Sequence, residues 1–171
     1  MLLVGGSSSR FGSPKALAVL DGETLAERAW RVLGEACEER LAVGKLADAL
    51  ELPFPVQDDG VAIRAPIAGV VAGLRLATTE LCVFLPADCP LVTPALLLAL
   101  ADDCPGDAAV PQTGPLPGAY RRSALPVLER RLGSGDLSLR SSLPALDAVV
   151  VEIDPALLVN VNTPDDLRDL G

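Results

Sequence analysis

Met1-Leu-Leu-Val-Gly-Gly-Ser-Ser-Ser-Arg-Phe-Gly-Ser-Pro-Lys-Ala-Leu17 opens the chain and organises the reading of the rest. Leu2, Leu3 and Val4 read as a short buried strand. Gly5, Gly6, Ser7, Ser8, Ser9, Arg10, Gly12 and Lys15 then follow without an apolar period. A strand that runs into a glycine- and serine-rich loop can aim consecutive backbone N–H groups at an anion. Arg10 adds a planar fork of donors and Lys15 a compact point charge, the two cation types that hold phosphates. Together they predict a phosphate cradle at the carboxyl end of the first strand; the plain alternative is a surface loop. The P-loop is excluded, because Gly12 is followed by Ser13-Pro14-Lys15 and no Ser or Thr follows the lysine. The glycines at 5, 6 and 12 do not fit G-x-G-x-x-G either. Lysine is scarce, since of 14 Lys plus Arg only Lys15 and Lys45 are lysines, which suggests a need for an ammonium at position 15.

Downstream, strands alternate with helices. Leu25, Ala29, Val32 and Leu33 share one face of a helix opened by Glu23-Thr24 and running to about Cys37. Strands are predicted at 41–43, ended by Gly44, and at 54–56, and a weak helix at 45–51. Pro66 opens a helix to about Ala77. Leu81-Cys-Val-Phe-Leu85 is a continuous apolar run, expected to be a central parallel strand buried on both faces. Thr93-Pro94 caps the next helix. Strands at 108–110 and 118–120 flank a turn at Gly114-Pro115. Helices follow at 123–132 and 137–143, then a strand at 148–153 and a terminal helix opened by Thr163-Pro164. The pattern predicts an α/β fold of three α/β/α layers, Rossmann-like, with a doubly wound, mostly parallel sheet. Residues 1–171 read as a single domain.

In such sheets ligands lie beyond the carboxyl ends of the strands, so the opening loop, Asp58/Asp59 and Asp88 can converge on one edge. Asp88 ends the apolar run on a stiff turn between Pro86 and Pro90. One carboxylate with phosphate oxygens and water is how Mg²⁺ is usually bound; spacing alone fits a turn or helix-capping aspartate equally well. Asn160 and Asn162, two apart on an extended segment, face the same way and can present amides to a ligand. Histidine is absent, which removes Ser-His and Cys-His pairs and imidazole metal sites. Cys37, Cys82, Cys89 and Cys104 lack C-x-x-C spacing. A net charge of −9 argues against nucleic-acid and membrane partners. No apolar run approaches a membrane span, and no basic region precedes an apolar segment at the N-terminus. The expected location is cytoplasmic.

The motif Gly5-Gly6-x-Ser8-x-Arg10-Phe11-Gly12-x-x-Lys15 resembles the opening of the sugar-phosphate and cofactor nucleotidyltransferases, and most of all the MobA-like molybdenum cofactor guanylyltransferases. Leu85-Pro-Ala-Asp-Cys-Pro90 and Asn160-Val-Asn-Thr-Pro-Asp-Asp-Leu167 resemble that family in the same order along the chain. The resemblance implies transfer of GMP from GTP to molybdopterin with release of pyrophosphate. Mg²⁺ on Asp88 would be the cofactor, and transient protein partners would take part in cofactor delivery. It implies catalytic roles for Arg10, Lys15 and Asp88. Nucleotide contacts would come from Leu3, Val4, Gly5, Gly6, Ser7, Arg10, Lys15, Asp59 and Asp88, with Asp59 favoured over Asp58 by its spacing to Pro66-Ile-Ala-Gly69. Tyr120, Asn160 and Asn162 are candidate acceptor contacts, and segments 115–121 and 138–142 look family-like. Four departures stand out: Val4 replaces a smaller residue, Gly44 stands where some members carry an Asn that touches the nucleotide, the first strand is short, and the histidine often found before the Pro-Leu stretch is absent. A cytidylyltransferase acting on the same cofactor, another small-molecule nucleotidyltransferase, and a non-catalytic nucleotide-binding protein are the competing readings.

Overall fold

The computed structural model describes residues 1–5 and 14–170. Nine strands are assigned among them: β1 (Leu2–Leu3), β2 (Val19–Leu20), β3 (Glu23–Thr24), β4 (Ala42–Gly44), β5 (Val56–Asp58), β6 (Leu81–Pro86), β7 (Ala108–Pro111), β8 (Gly118–Arg121) and β9 (Ala148–Val151). Seven form one sheet in the order β5-β4-β1-β6-β8-β7-β9, while β2 and β3 make a small separate hairpin. Pairing is parallel except around β8, which runs antiparallel to both β6 and β7. The expected mostly parallel α/β sheet is therefore present. Its single reversed strand follows from the tight turn at Gly114, which can join only antiparallel neighbours.

Side-chain alternation along the strands divides the core in two. Leu2 and Val4 with Val83 and Leu85 face one layer, holding α1 (Leu25–Ala36) and α3 (Pro94–Asp102). Leu3 with Cys82 and Phe84 faces the other, holding α2 (Pro66–Leu76) and α4 (Leu125–Gly133). Two short helices complete the set, α5 (Leu139–Ser142) and α6 (Pro164–Arg168). Where helices begin, the sequence shows why. Thr24 and Glu27 form a reciprocal capping box for α1, and Thr163 and Asp166 do so for α6. Thr93 accepts from the Leu96 N–H ahead of Pro94. In α2, Gly73 lets the helix sit close to the sheet, since a Cβ there would lie 2.5 Å from Phe84 Cε1.

Several boundaries differ from the expected ones. Phe54 is not in a strand. It stacks on Trp30 with ring centroids 4.2 Å apart, Arg40 covers the same indole, and the strand begins only at Val56. Gly44 lies inside β4, paired with Asp58, and the weak helix at 45–51 shrinks to one 3₁₀ turn at Leu46–Asp48.

Gly44 is also where two of the departures meet. A Cβ at 44 would stand 2.7 Å from Val4 Cγ2 and 3.3 Å from Val56 Cγ1. The larger residue at 4 and the missing side chain at 44 thus occupy one volume. Gly44→Ala is expected to destabilise the protein by about 1–3 kcal/mol through overpacking. Adding Val4→Ala should return roughly 1 kcal/mol of that loss, because the two residues contact one another. Denaturant unfolding of the single and double variants measures both effects; equal stability of the two would refute the shared volume.

Candidate functional site

The crossovers from β1 run outward in one direction to β4 and β5, and in the other through β6 to the remaining strands. At such a reversal no helix covers the carboxyl ends of the two central strands. A cleft of about 720 Å³ opens there, within the range typical of small-molecule sites. Among its walls are Leu3, Val4 and Gly5 from the end of β1, Lys15, Asp59, Asp88, Asn160 and Asn162.

The centre of the cleft is a polar cluster. Lys15 Nζ lies 3.0 Å from Asp88 Oδ2 and 3.2 Å from Asn162 Oδ1. These groups come from positions 15, 88 and 162, so only the folded sheet assembles them. Asp88 is placed by the stiff turn after β6 and by Val161, whose N–H donates to the Asp88 carbonyl at 2.9 Å. That bond pins the extended segment 160–162 across the cleft floor. Val161 points into the core, fully buried, and Asn160 and Asn162 point the other way, as their spacing required. Asp166 Oδ2 accepts from the N–H groups of Asn162 and Thr163 at 2.7 and 2.9 Å, which holds its carboxyl below the usual aspartate range. The helix cap and the site therefore share one carboxylate.

Next to Asp88, the Cys89 thiol donates to Asn160 Oδ1 at 2.9 Å. Burial, and then the adjacent Asp88 carboxylate, push this thiol well above its ordinary range. Buried and donating to Asn160, it orients that amide.

On the opposite wall Asp59 lines the cleft, whereas Asp58 turns away to accept from the Leu46 and Gly60 N–H groups. Asp59 Oδ1 is 2.6 Å from Lys45 Nζ. A second ion pair, Arg64 with Asp48, joins the same two loops and holds the Asp48 carboxyl below its usual range. The remaining wall brings in Thr113 to Leu116 and Ser138 to Arg140, so parts of both family-like segments do reach the cleft.

Tyr120 does not. It is fully buried in the core, packs edge-on to Phe84, and donates its hydroxyl to the Pro115 carbonyl at 2.7 Å. Its role as an acceptor contact is withdrawn: the strand alternation that sends Arg121 outward sends Tyr120 inward. Gly6, Ser7 and Arg10 lie outside the described residues. Sequence reasoning missed Lys45 and Arg64 as cleft residues. Scarcity was the available signal for Lys45, one of only two lysines.

A metal would find one carboxylate here. Among the described residues there is no group of three or more His, Cys, Asp or Glu side chains able to hold a metal ion. Asp88 with the amide oxygens nearby fits a divalent cation that takes most of its ligands from water and phosphate.

An open α/β sheet with a cleft at its switch point, a lysine–aspartate pair and two amides on the floor is an arrangement suited to a small anionic ligand. The match to known proteins is specific: the chain belongs to the MobA-like NTP transferase domain family, whose model matches residues 1–149. It is 35% identical to a probable molybdenum cofactor guanylyltransferase of Chloroflexus aggregans, over 98% of this chain and 90% of that protein. It is 32% identical to the molybdenum cofactor guanylyltransferase of Pseudomonas putida, over 99% of this chain and 95% of that one. Among solved structures, molybdopterin-guanine dinucleotide biosynthesis protein A from Archaeoglobus fulgidus superposes with a TM-score of 0.77 at 29% identity, covering 99% and 94% of the two chains.

Of the four free cysteines, only Cys37 is partly exposed; the other three are buried. Native protein treated with iodoacetamide near neutral pH should therefore be alkylated first at Cys37, with Cys89 modified only on unfolding. Peptide mass spectrometry reads the order, and rapid labelling of Cys89 would contradict the oriented, protonated thiol.

Proposed function

We propose that the chain transfers GMP from GTP to the phosphate of molybdopterin, forming the guanine dinucleotide cofactor and releasing pyrophosphate. Residues 1–171 act as one catalytic unit in the cytoplasm. The observation that carries the reading is the cluster of Lys15, Asp88 and Asn162 on the floor of the switch-point cleft.

The chemistry suits a chain without histidine. The acceptor is a phosphate monoester whose second pKa is about 6, so it is largely ionised near neutral pH and needs no general base. What remains is alignment with the α-phosphorus and neutralisation of charge. Backbone N–H groups at Gly5 and Gly6 bind base and ribose, with Leu3, Val4 and Ser7 beside them. Lys15, with Arg10 from the adjoining loop, neutralises the triphosphate. Asp59 contacts the nucleotide from the opposite wall. Its carboxylate suits guanine, whose N1–H and N2–H₂ are neighbouring donors. Asn160 and Asn162 hold the acceptor or its phosphate. Asp88 is the residue that would hold Mg²⁺, which when bound supplies positive charge to the phosphate oxygens. Molybdopterin would arrive through transient protein partners. No helix among the described residues is long and apolar enough to cross a membrane.

Pyrophosphate release with GTP and molybdopterin tests the reading. Turnover is expected with GTP, and Lys15→Ala and Asp88→Ala should each lower it by about a hundredfold or more. Turnover with CTP in place of GTP would move the chain to a cytidylyltransferase. Nucleotide binding without pyrophosphate release would make it a non-catalytic binder.

A further inference from the structure

Lys45 is almost fully buried, and its ammonium makes three contacts, all to the loop between β5 and α2. It donates to Asp59 Oδ1 at 2.6 Å, to the Val61 carbonyl, and to the Ile63 carbonyl at 2.7 Å. An ammonium has three N–H donors, so its capacity is filled. The Val61 N–H donates to the same Oδ1 at 3.2 Å. Asp59 is itself only 7% exposed at its side chain, yet it lines the cleft. Its Oδ2 makes no hydrogen bond among the described residues.

A buried ammonium–carboxylate pair costs much desolvation, and a hydrophobic pair of similar size often folds as well. Stability alone therefore gives little reason to keep it. Its geometry supplies another. One carboxylate oxygen is tied by two donors to a loop that the same lysine stitches at three points, and the other oxygen remains as an acceptor at the cleft wall.

We propose that Lys45 is a positioning residue for base selection, fixing Asp59 so that its second oxygen accepts from the N–H edge of a guanine-type base. The inference rests on the reading of Asp59 as a nucleotide contact. A carboxylate without protons accepts only, so it favours guanine, with donors at N1 and N2, over adenine, whose N1 is an acceptor. Lys45 acts only through Asp59 and touches no substrate.

The experiment measures calorimetric dissociation constants for GTP and ATP, with Mg²⁺, on wild type, Lys45→Met, Asp59→Asn and Lys45→Met/Asp59→Asn. Lys45→Met should weaken GTP by about tenfold or more and ATP by less than about threefold, a split that general loosening of the loop would not produce. In the Asp59→Asn background, adding Lys45→Met should change neither ratio. That comparison decides the matter even if Lys45→Met alone does not fold, because the double variant removes both buried charges. If Asp59→Asn leaves GTP affinity unchanged, the reading of Asp59 fails and the inference with it. If Asp59→Asn weakens GTP selectively but Lys45→Met weakens both nucleotides alike, or still lowers selectivity in the double variant, only the role of Lys45 is overturned.

Discussion

The pairing of β1 with β6, Leu2 beside Leu85 and Leu3 beside Pro86, is the contact on which the rest depends. It joins two halves of the sheet whose crossovers depart in opposite directions, and so leaves the strand ends beneath it open. The polar cluster on the cleft floor hangs on these two strands. Asp88 follows β6. Gly5 follows β1. Val161 hangs on the Asp88 carbonyl and brings two asparagines with it. The strand β1 is only two residues long in its ladder, and its residues are almost completely buried between α1 and α3 on one side and α2 on the other. A short strand suffices because burial on both faces, not strand length, holds it in register.

The parts of this arrangement legible in the sequence were those fixed by one-dimensional patterns. The apolar run at 81–85 announced a doubly buried strand, and the period-two spacing of Asn160 and Asn162 announced a shared face. The Thr-Pro pairs at 93–94 and 163–164 announced helix starts. Each depends on neighbours within a few positions. What the pattern could not give was choice between faces or between local and distant partners. Tyr120 and Arg121 differ by one residue, and only the antiparallel register of β8 against β6 says which goes inward. Phe54 looked like strand material, but stacking with Trp30 removed it from the ladder. Lys45, expected at the start of a weak helix, is a buried cation, because its partners lie 14 to 18 positions away.

The Val4–Gly44 contact carries the same lesson in a different form. Read singly, a bulky residue at 4 and a glycine at 44 are two departures from the family's pattern. In the structure they are one exchange of volume between adjacent parallel strands, with Val56 closing the third side. A side chain at 44 would have to displace Val4. On the same wall Asp59 lines the cleft, paired with Lys45.

A chain carrying −9 must still attract a polyanion, and the charges of the cleft suggest how. Lys45 and Arg64 face Asp59 and Asp48, and Lys15 faces Asp88, so each of these cations is largely compensated at close range. Arg140, among the described cations of the cleft, has no carboxylate partner and donates only to the Thr113 carbonyl. Among the described residues, the cations of the cleft are thus unequally paired. The wall built from the loops after β4 and β5 is a set of matched pairs. The wall near α5 keeps an uncompensated guanidinium. On the matched wall Lys45 with Asp59 and Arg64 with Asp48 leave little net charge to attract a phosphate. An unmatched arginine does attract one, over a distance set by ionic strength.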